Sequence, residues 1–157
     1  MRVTSVLFFL FAAFVGCQTD FLGHPASTST TTPTPAQIQH CRDVMYINPA
    51  VKIEPLGFFL QPGMDDIIRF KFVAQTNDPA LVFDSAHVDA KKFGPDVRLS
   101  ALEPGAAEKW WDVSKQTLTG GNFSVPPPKS SGTRGLNIGY TKNADGTLTV
   151  YVLWHET

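Results

Sequence analysis

Charge is scarce in this chain, and neither sign dominates. Charged residues make up 17% of the 157, below the ~25% usual for soluble proteins. Thirteen basic against fourteen acidic residues leave a net charge of −1. Proteins that grip nucleic acid by neutralising phosphates carry a basic excess, so no nucleic-acid partner is expected. Two cysteines are too few for a disulfide framework or a four-thiolate zinc site. No G-x-S-x-G, H-E-x-x-H or P-loop pattern occurs. The glutamates are Glu54, Glu103, Glu108 and Glu156, and their spacing marks no carboxylate pair for glycoside hydrolysis. No apolar run reaches the ~18 residues of a membrane-crossing helix. No cofactor or metal is expected from these motifs, and the length suits a single ordinary domain.

The first signal lies at the N-terminus. Arg2 supplies positive charge, and residues 6–15 (VLFFLFAAFV) are uncharged and strongly apolar. Ten helical residues span only ~15 Å, about half the hydrocarbon core of a bilayer. A positive start followed by a short apolar run is the pattern of a secretory signal peptide. Phe14-Val15-Gly16-Cys17 then resembles the lipobox of bacterial lipoproteins, in which a cysteine follows a small residue; Phe14 stands where Leu is commonest. The resemblance covers residues 1–17 only. It implies that the Cys17 thiol is alkylated by diacylglycerol, that residues 1–16 are removed, and that the new amino terminus is acylated. Two or more acyl chains, at ~0.8 kcal/mol per buried methylene, make a lasting anchor. Gln18 at the second mature position implies, by the enterobacterial pattern, the outer membrane.

Residues 17–41 read as the lipidated Cys17 followed by a flexible tether. Eleven of the 23 residues from Gln18 to His40 are Ser, Thr or Pro, with STSTTTPTP at the centre. No apolar period offsets the entropy of ordering such a segment. Fully extended it reaches ~75 to 80 Å. An O-glycosylated stalk is the competing reading of the same composition.

Residues 42–157 are expected to form one globular domain of α+β class: a small antiparallel β-sheet with short helices and a C-terminal β-hairpin. A β-sandwich is the alternative. Leu148, Val150, Val152 and Trp154 alternate with Thr149, Tyr151 and Leu153, the period of a strand. Leu136, Ile138 and Tyr140 do the same, and Asp145-Gly146 supplies turn chemistry between the two runs. Ile68, Phe70 and Phe72 mark a half-buried strand, and residues 56–60 suggest its partner, with Pro55 an edge or a break. Asp78-Pro79 predicts a short helix over residues 79–85, and residues 105–111 a helical turn. Residues 119–131, with Gly120-Gly121 and Pro126-Pro127-Pro128, are expected to be mostly loop.

Candidate chemistry is thin. His87 and Asp89, with Asp84 nearby, have the spacing of a metal pair, but a solvated loop is the stronger reading because no second ligand cluster accompanies them. Asp65-Asp66 and Asp145-Gly146 lack the ligand series of a calcium loop and read as turns. His40-Cys41 sets a base beside a thiol without the geometry of a catalytic pair, and Cys41 is expected to be a free thiol. Asn122-Phe123-Ser124 is a glycosylation sequon that matters only in a eukaryotic secretory pathway. Thirteen aromatics fall within residues 42–157, and most belong to the core. Trp110 and Trp111, flanked by Glu108, Lys109 and Asp112, are the candidate partner-binding residues, expected to leave at least one indole at the surface. The sequence thus points to a membrane-anchored envelope lipoprotein whose domain is a non-enzymatic binding or structural unit. Its partners would be the membrane, through the lipid on Cys17, and an envelope protein or glycan. A secreted or anchored hydrolase with an unrecognised site is the alternative.

Overall fold

A computed structural model describes residues 26–63, 66–99, 108–125 and 133–156. Six strands form one antiparallel sheet: β1 (Thr28–Thr30), β2 (Ile53–Gln61), β3 (Ile67–Ala74), β4 (Thr119–Val125), β5 (Arg134–Lys142) and β6 (Leu148–Glu156). Their spatial order is β1-β2-β3-β6-β5-β4. Among the described residues, one α-helix, α1 (Pro35–Val44), and short 3-10 turns at Pro79–Leu81, Ala90–Lys92 and Val113–Lys115 accompany the sheet. The α+β expectation holds, with the sheet dominant.

The expected C-terminal hairpin is present, with Leu136 opposite Trp154 and Ile138 opposite Val152. Asp145 accepts from the Thr147 N–H at 3.0 Å, and Gly146 takes φ +82° at the turn, a conformation that suits glycine. β6 then pairs with β3, Phe70 facing Val152. This places the two most apolar strands at the centre of the sheet.

Period two puts Ile68, Phe70, Phe72, Val150, Val152, Leu136 and Ile138 on one face, where they bury against Cys41 and Met45 from the α1 region and Val82, Phe83 and Val88. The opposite face is also covered. Tyr151 and Leu153 pack with Leu99, Trp111 and Leu118, and Trp110 and Val113 join from the margin. β3 is therefore buried on both sides, where its alternation suggests a half-buried strand.

Three expectations need correction. First, the stretch read as tether carries ordered elements among its described residues, β1 and most of α1, because it holds local signals that its composition obscures. Thr34 caps α1 by accepting from the Gln37 N–H, while the Gln37 side chain accepts from the Thr34 N–H at 2.8 Å, and Pro35 occupies the first turn. The boundary set between residues 41 and 42 falls within this helix. Second, residues 119–125 are strand β4 rather than loop. A Cβ on Gly120 would lie 1.9 Å from the Ile138 carbonyl oxygen, so glycine permits the backbone approach that joins β4 to β5. Third, the helix at residues 79–85 shrinks to a 3-10 turn over Pro79–Leu81, capped by Asp78 as expected. Ile47 bridges Phe83 in the antiparallel sense, and that tertiary pairing ends the helix. Pro55 sits in β2 at a register shift between Pro55 and Gly57, a bulge where a missing N–H is tolerated. Of the helical turn expected at residues 105–111, residues 108–111 are described and form a turn closed from the Trp111 N–H to the Glu108 C=O; residues 105–107 and the Pro126–Pro128 run lie outside the described residues.

Candidate functional site

Trp110 and Trp111 are held by the turn that Glu108 opens, closed by a Trp111 N–H to Glu108 C=O bond of 2.8 Å. Trp111 is 2% exposed and meets Tyr151 edge-on at 5.7 Å, so it belongs to the second core and presents nothing to a partner. Trp110 is half-buried. Its indole lies over Gly57, where an added Cβ would come within 2.2 Å of the ring, and its Nε1 donates to Ser29 Oγ at 3.4 Å. The two indoles stand edge to face, 5.8 Å apart. Of the expected binding pair, only Trp110 keeps a solvent-facing part.

Of the charges flanking the indoles, Glu108 and Asp112 turn inward, while Lys109 is exposed. Glu108 pairs with Arg69 of β3, and both side chains are buried. The Arg69 guanidinium lies 4.9 Å from the Phe59 ring centroid. Lys71 Nζ donates to Asp112 Oδ1 at 2.7 Å and to the Trp110 carbonyl at 3.1 Å, and Tyr151 Oη donates to the same Asp112 oxygen at 3.0 Å. Burial works against the charge on Asp112, but the bonds from Lys71 and Tyr151 outweigh it and hold the carboxyl below the usual range. Burial first, and then the Asp112 carboxylate, push the Tyr151 phenol well above its ordinary value. This network clamps residues 108–113 onto the sheet. Its donors and acceptors are spent on one another, the arrangement of a structural fastening.

The other polar cluster lies near the outer edge of β4. His87 Nδ1 is 3.3 Å from Asp84 Oδ2, and the imidazole stacks on Tyr46 at 3.9 Å and 10°. The Ala86 N–H, and more weakly His87, stabilise the Asp84 carboxylate and lower its pKa. Asp89 does not join them, because its carboxylate caps the turn over Ala90–Lys92 by accepting from the Lys91 N–H at 3.0 Å. Among the described residues no three His, Cys, Asp or Glu side chains gather as a metal site. Asp66 and Asp145 serve turns, accepting from the N–H groups of Gly63 and Thr147; Asp65 lies outside the described residues. Cys41 is a free, buried thiol whose pKa burial pushes up to about 12, while His40 beside it is exposed. That separation leaves the thiol without a base and unreactive.

An open depression of about 390 Å³ runs between this cluster and β4, lined chiefly by Ser85, His87, Asp89, Lys92, Asn122 and Ser124. Sequence reading missed it because residues 119–131 read as loop, although the Asn122-Phe123-Ser124 pattern of exposed, buried, exposed is itself a strand signature. Cys17 lies outside the described residues. No protein-family model, curated protein or solved structure matches this chain.

Proposed function

We propose that this chain is a lipid-anchored bacterial envelope protein, attached through Cys17, whose domain binds an envelope partner or serves structurally rather than catalysing a reaction. The observation that carries the reading is the order of N-terminal features: Arg2, the apolar run over residues 6–15, then Gly16-Cys17. The fold adds a distance. Eleven residue-to-residue steps lead from Cys17 to Thr28, so the link spans at most ~36 to 40 Å rather than twice that. Thr28 pairs with Leu60, so the chain enters the sheet at the end that carries the β2–β3 turn. The domain would sit close to the bilayer, that end nearest. Gln18 favours the outer membrane where the host has one.

The non-enzymatic half of the proposal is supported by how the polar side chains are used. Arg69, Glu108, Lys71, Asp112 and Tyr151 fasten one segment, and the Cys41 thiol is buried and protonated. Labelled palmitate fed to a bacterial host expressing wild type and Cys17→Ser tests the anchor. The expected result is label in wild type alone, on a chain that begins at Cys17. Equal label in both, or an intact Met1 in the mature protein, would overturn it.

A further inference from the structure

β4 forms one border of the sheet, and its backbone alternates between two directions. Gly120 turns both its N–H and its C=O away from β5, exchanging hydrogen bonds of 2.9 and 2.8 Å with Gly94. Direction reverses at each residue of an antiparallel ladder, so Gly121, Phe123 and Val125 face β5 while Asn122 and Ser124 face outward. Those two residues are exposed. Among the described residues their outward groups meet no backbone partner. The open depression lies directly beside them, walled by Ser85, His87, Asp89 and Lys92.

An alternating row of donors and acceptors is matched in full only by another extended backbone. Gly94 already makes the first such pairing at Gly120, so the edge accepts antiparallel addition. Strand addition also needs a place for every second side chain of the incoming segment, where specificity arises. The depression supplies one, and its hydroxyl, imidazole, carboxylate and ammonium groups select a polar, hydrogen-bonding side chain. We infer that the outer edge of β4 at Asn122 and Ser124 captures an extended peptide segment of a partner protein by strand addition, with a polar peptide side chain seated against Ser85, Asp89 and Lys92. A second copy of this chain fits less well. Pairing two β4 edges about Phe123 would bring both copies' 85–92 walls to the same side of the joined sheet, each against the other.

The inference deepens the binding half of the proposed function and is independent of the anchor. The full chain in detergent micelles, as wild type and as Cys17→Ser, is panned against a displayed library of random linear heptapeptides, and the strongest binder is synthesised. Bound peptide is expected to slow amide hydrogen exchange at Asn122 and Ser124 at least tenfold, to about the degree of a ladder amide, and to leave Phe123 as before. N-methylation of alternate peptide amides, or Ser124→Pro in the protein, is expected to weaken binding about tenfold or more. Ser124→Pro removes an outward N–H and spares the ladder to β5, and the N-methyl series leaves the protein untouched if that variant does not fold. Absence of any binder, or protection at other amides, overturns the inference. Protection of Asn122 and Ser124 by rising protein concentration without peptide also overturns it and assigns the edge to a second copy. Equal capture by wild type and Cys17→Ser is expected, so lipid attachment and peptide capture can each fail alone.

Discussion

Neutralising Glu108 is the sharpest test of how the second face of the sheet is held. In Glu108→Gln the Arg69 guanidinium keeps its charge inside a site where the two side chains are 4% and 6% exposed. A buried ion stripped of its counter-charge typically costs ~3 to 5 kcal/mol, a large share of the ~5 to 15 kcal/mol that stabilises a domain. At a urea dependence of ~1 to 3 kcal/mol per molar, the midpoint is expected to fall on the order of 2 M. Arg69→Met is expected to cost a similar amount, since it strands the carboxylate instead. Because Arg69 also lies over Phe59, methionine keeps a favourable contact with that ring, and the loss reports mainly on charge.

The double variant Arg69→Met/Glu108→Leu separates charge burial from packing. Removing both charges relieves both desolvation penalties, so the pair of changes is expected to cost less than either alone, and replacements of this kind are sometimes stabilising by ~1 to 4 kcal/mol. Urea midpoints of the four proteins, followed by tryptophan fluorescence, give the cycle directly. Glu108 opens the turn that seats Trp110 and Trp111, so both single variants should also shift the emission to the red in the folded baseline. Single-variant losses under ~1 kcal/mol, the scale of an exposed pair, or a double loss equal to the sum of the singles, would refute the reasoning.

Three other outcomes follow from the same geometry. Gly57→Ala drives a methyl into the Trp110 ring and is expected to cost ~1 to 3 kcal/mol, with most of that recovered when Trp110→Ala is added; equal costs in both backgrounds by urea midpoint would show that the indole does not rest on Gly57. Trp111→Ala is expected to cost ~3 to 5 kcal/mol and Trp110→Ala distinctly less, read the same way. Deleting residues 147–157 removes the strand between β3 and β5 and should abolish cooperative thermal unfolding, while Val152→Ala should lower the midpoint. Cys41 sets an alkaline limit: its folded pKa of about 12 stands above the unfolded value of 9.0, so the unfolded chain loses that proton first. Stability is therefore full below about pH 9 and declines toward pH 12, by up to ~4 kcal/mol, and Cys41→Ala should flatten that decline in urea titrations.

How much of the fold was legible varies strand by strand, for physical reasons. β3, β5 and β6 announce themselves because each presents an apolar residue at every second position, and burial of that face is a requirement the sequence must meet itself. Even so, β6 reads LTVYVLW, with Tyr151 and Leu153 on the second face, and a nearly continuous apolar run of that kind signals cover on both sides. β4 carries Gly120 and Gly121, which weaken any intrinsic strand tendency, so its pairing depends on the close approach to β5. In α1 the cap was visible: Thr34-Pro35-Ala36-Gln37 is a capping box with proline at the first position. Seven Ser and Thr within STSTTTPTP outweighed it, because averaged composition dilutes a signal carried by two side chains.

The indole pair shows why charge next to an aromatic is a poor guide to exposure. Glu108 and Asp112 flank the tryptophans and read as solvent-facing, which argued for a surface pair. Their partners, Arg69 and Lys71, stand 39 and 41 residues earlier. Those two cations occupy alternate positions on β3, so the period that sends Ile68, Phe70 and Phe72 to one core sends both charges to the opposite face. A strand in the middle of a sheet cannot leave charges on a covered face unpaired. Once β3 is central, two carboxylates must be delivered to Arg69 and Lys71, and the segment that delivers them carries the indoles down onto the sheet. Strand order therefore decides the fate of Trp111. The outer edge of β4 is the complementary case, since Asn122 and Ser124 border the sheet and, among the described residues, their outward backbone groups meet no backbone partner.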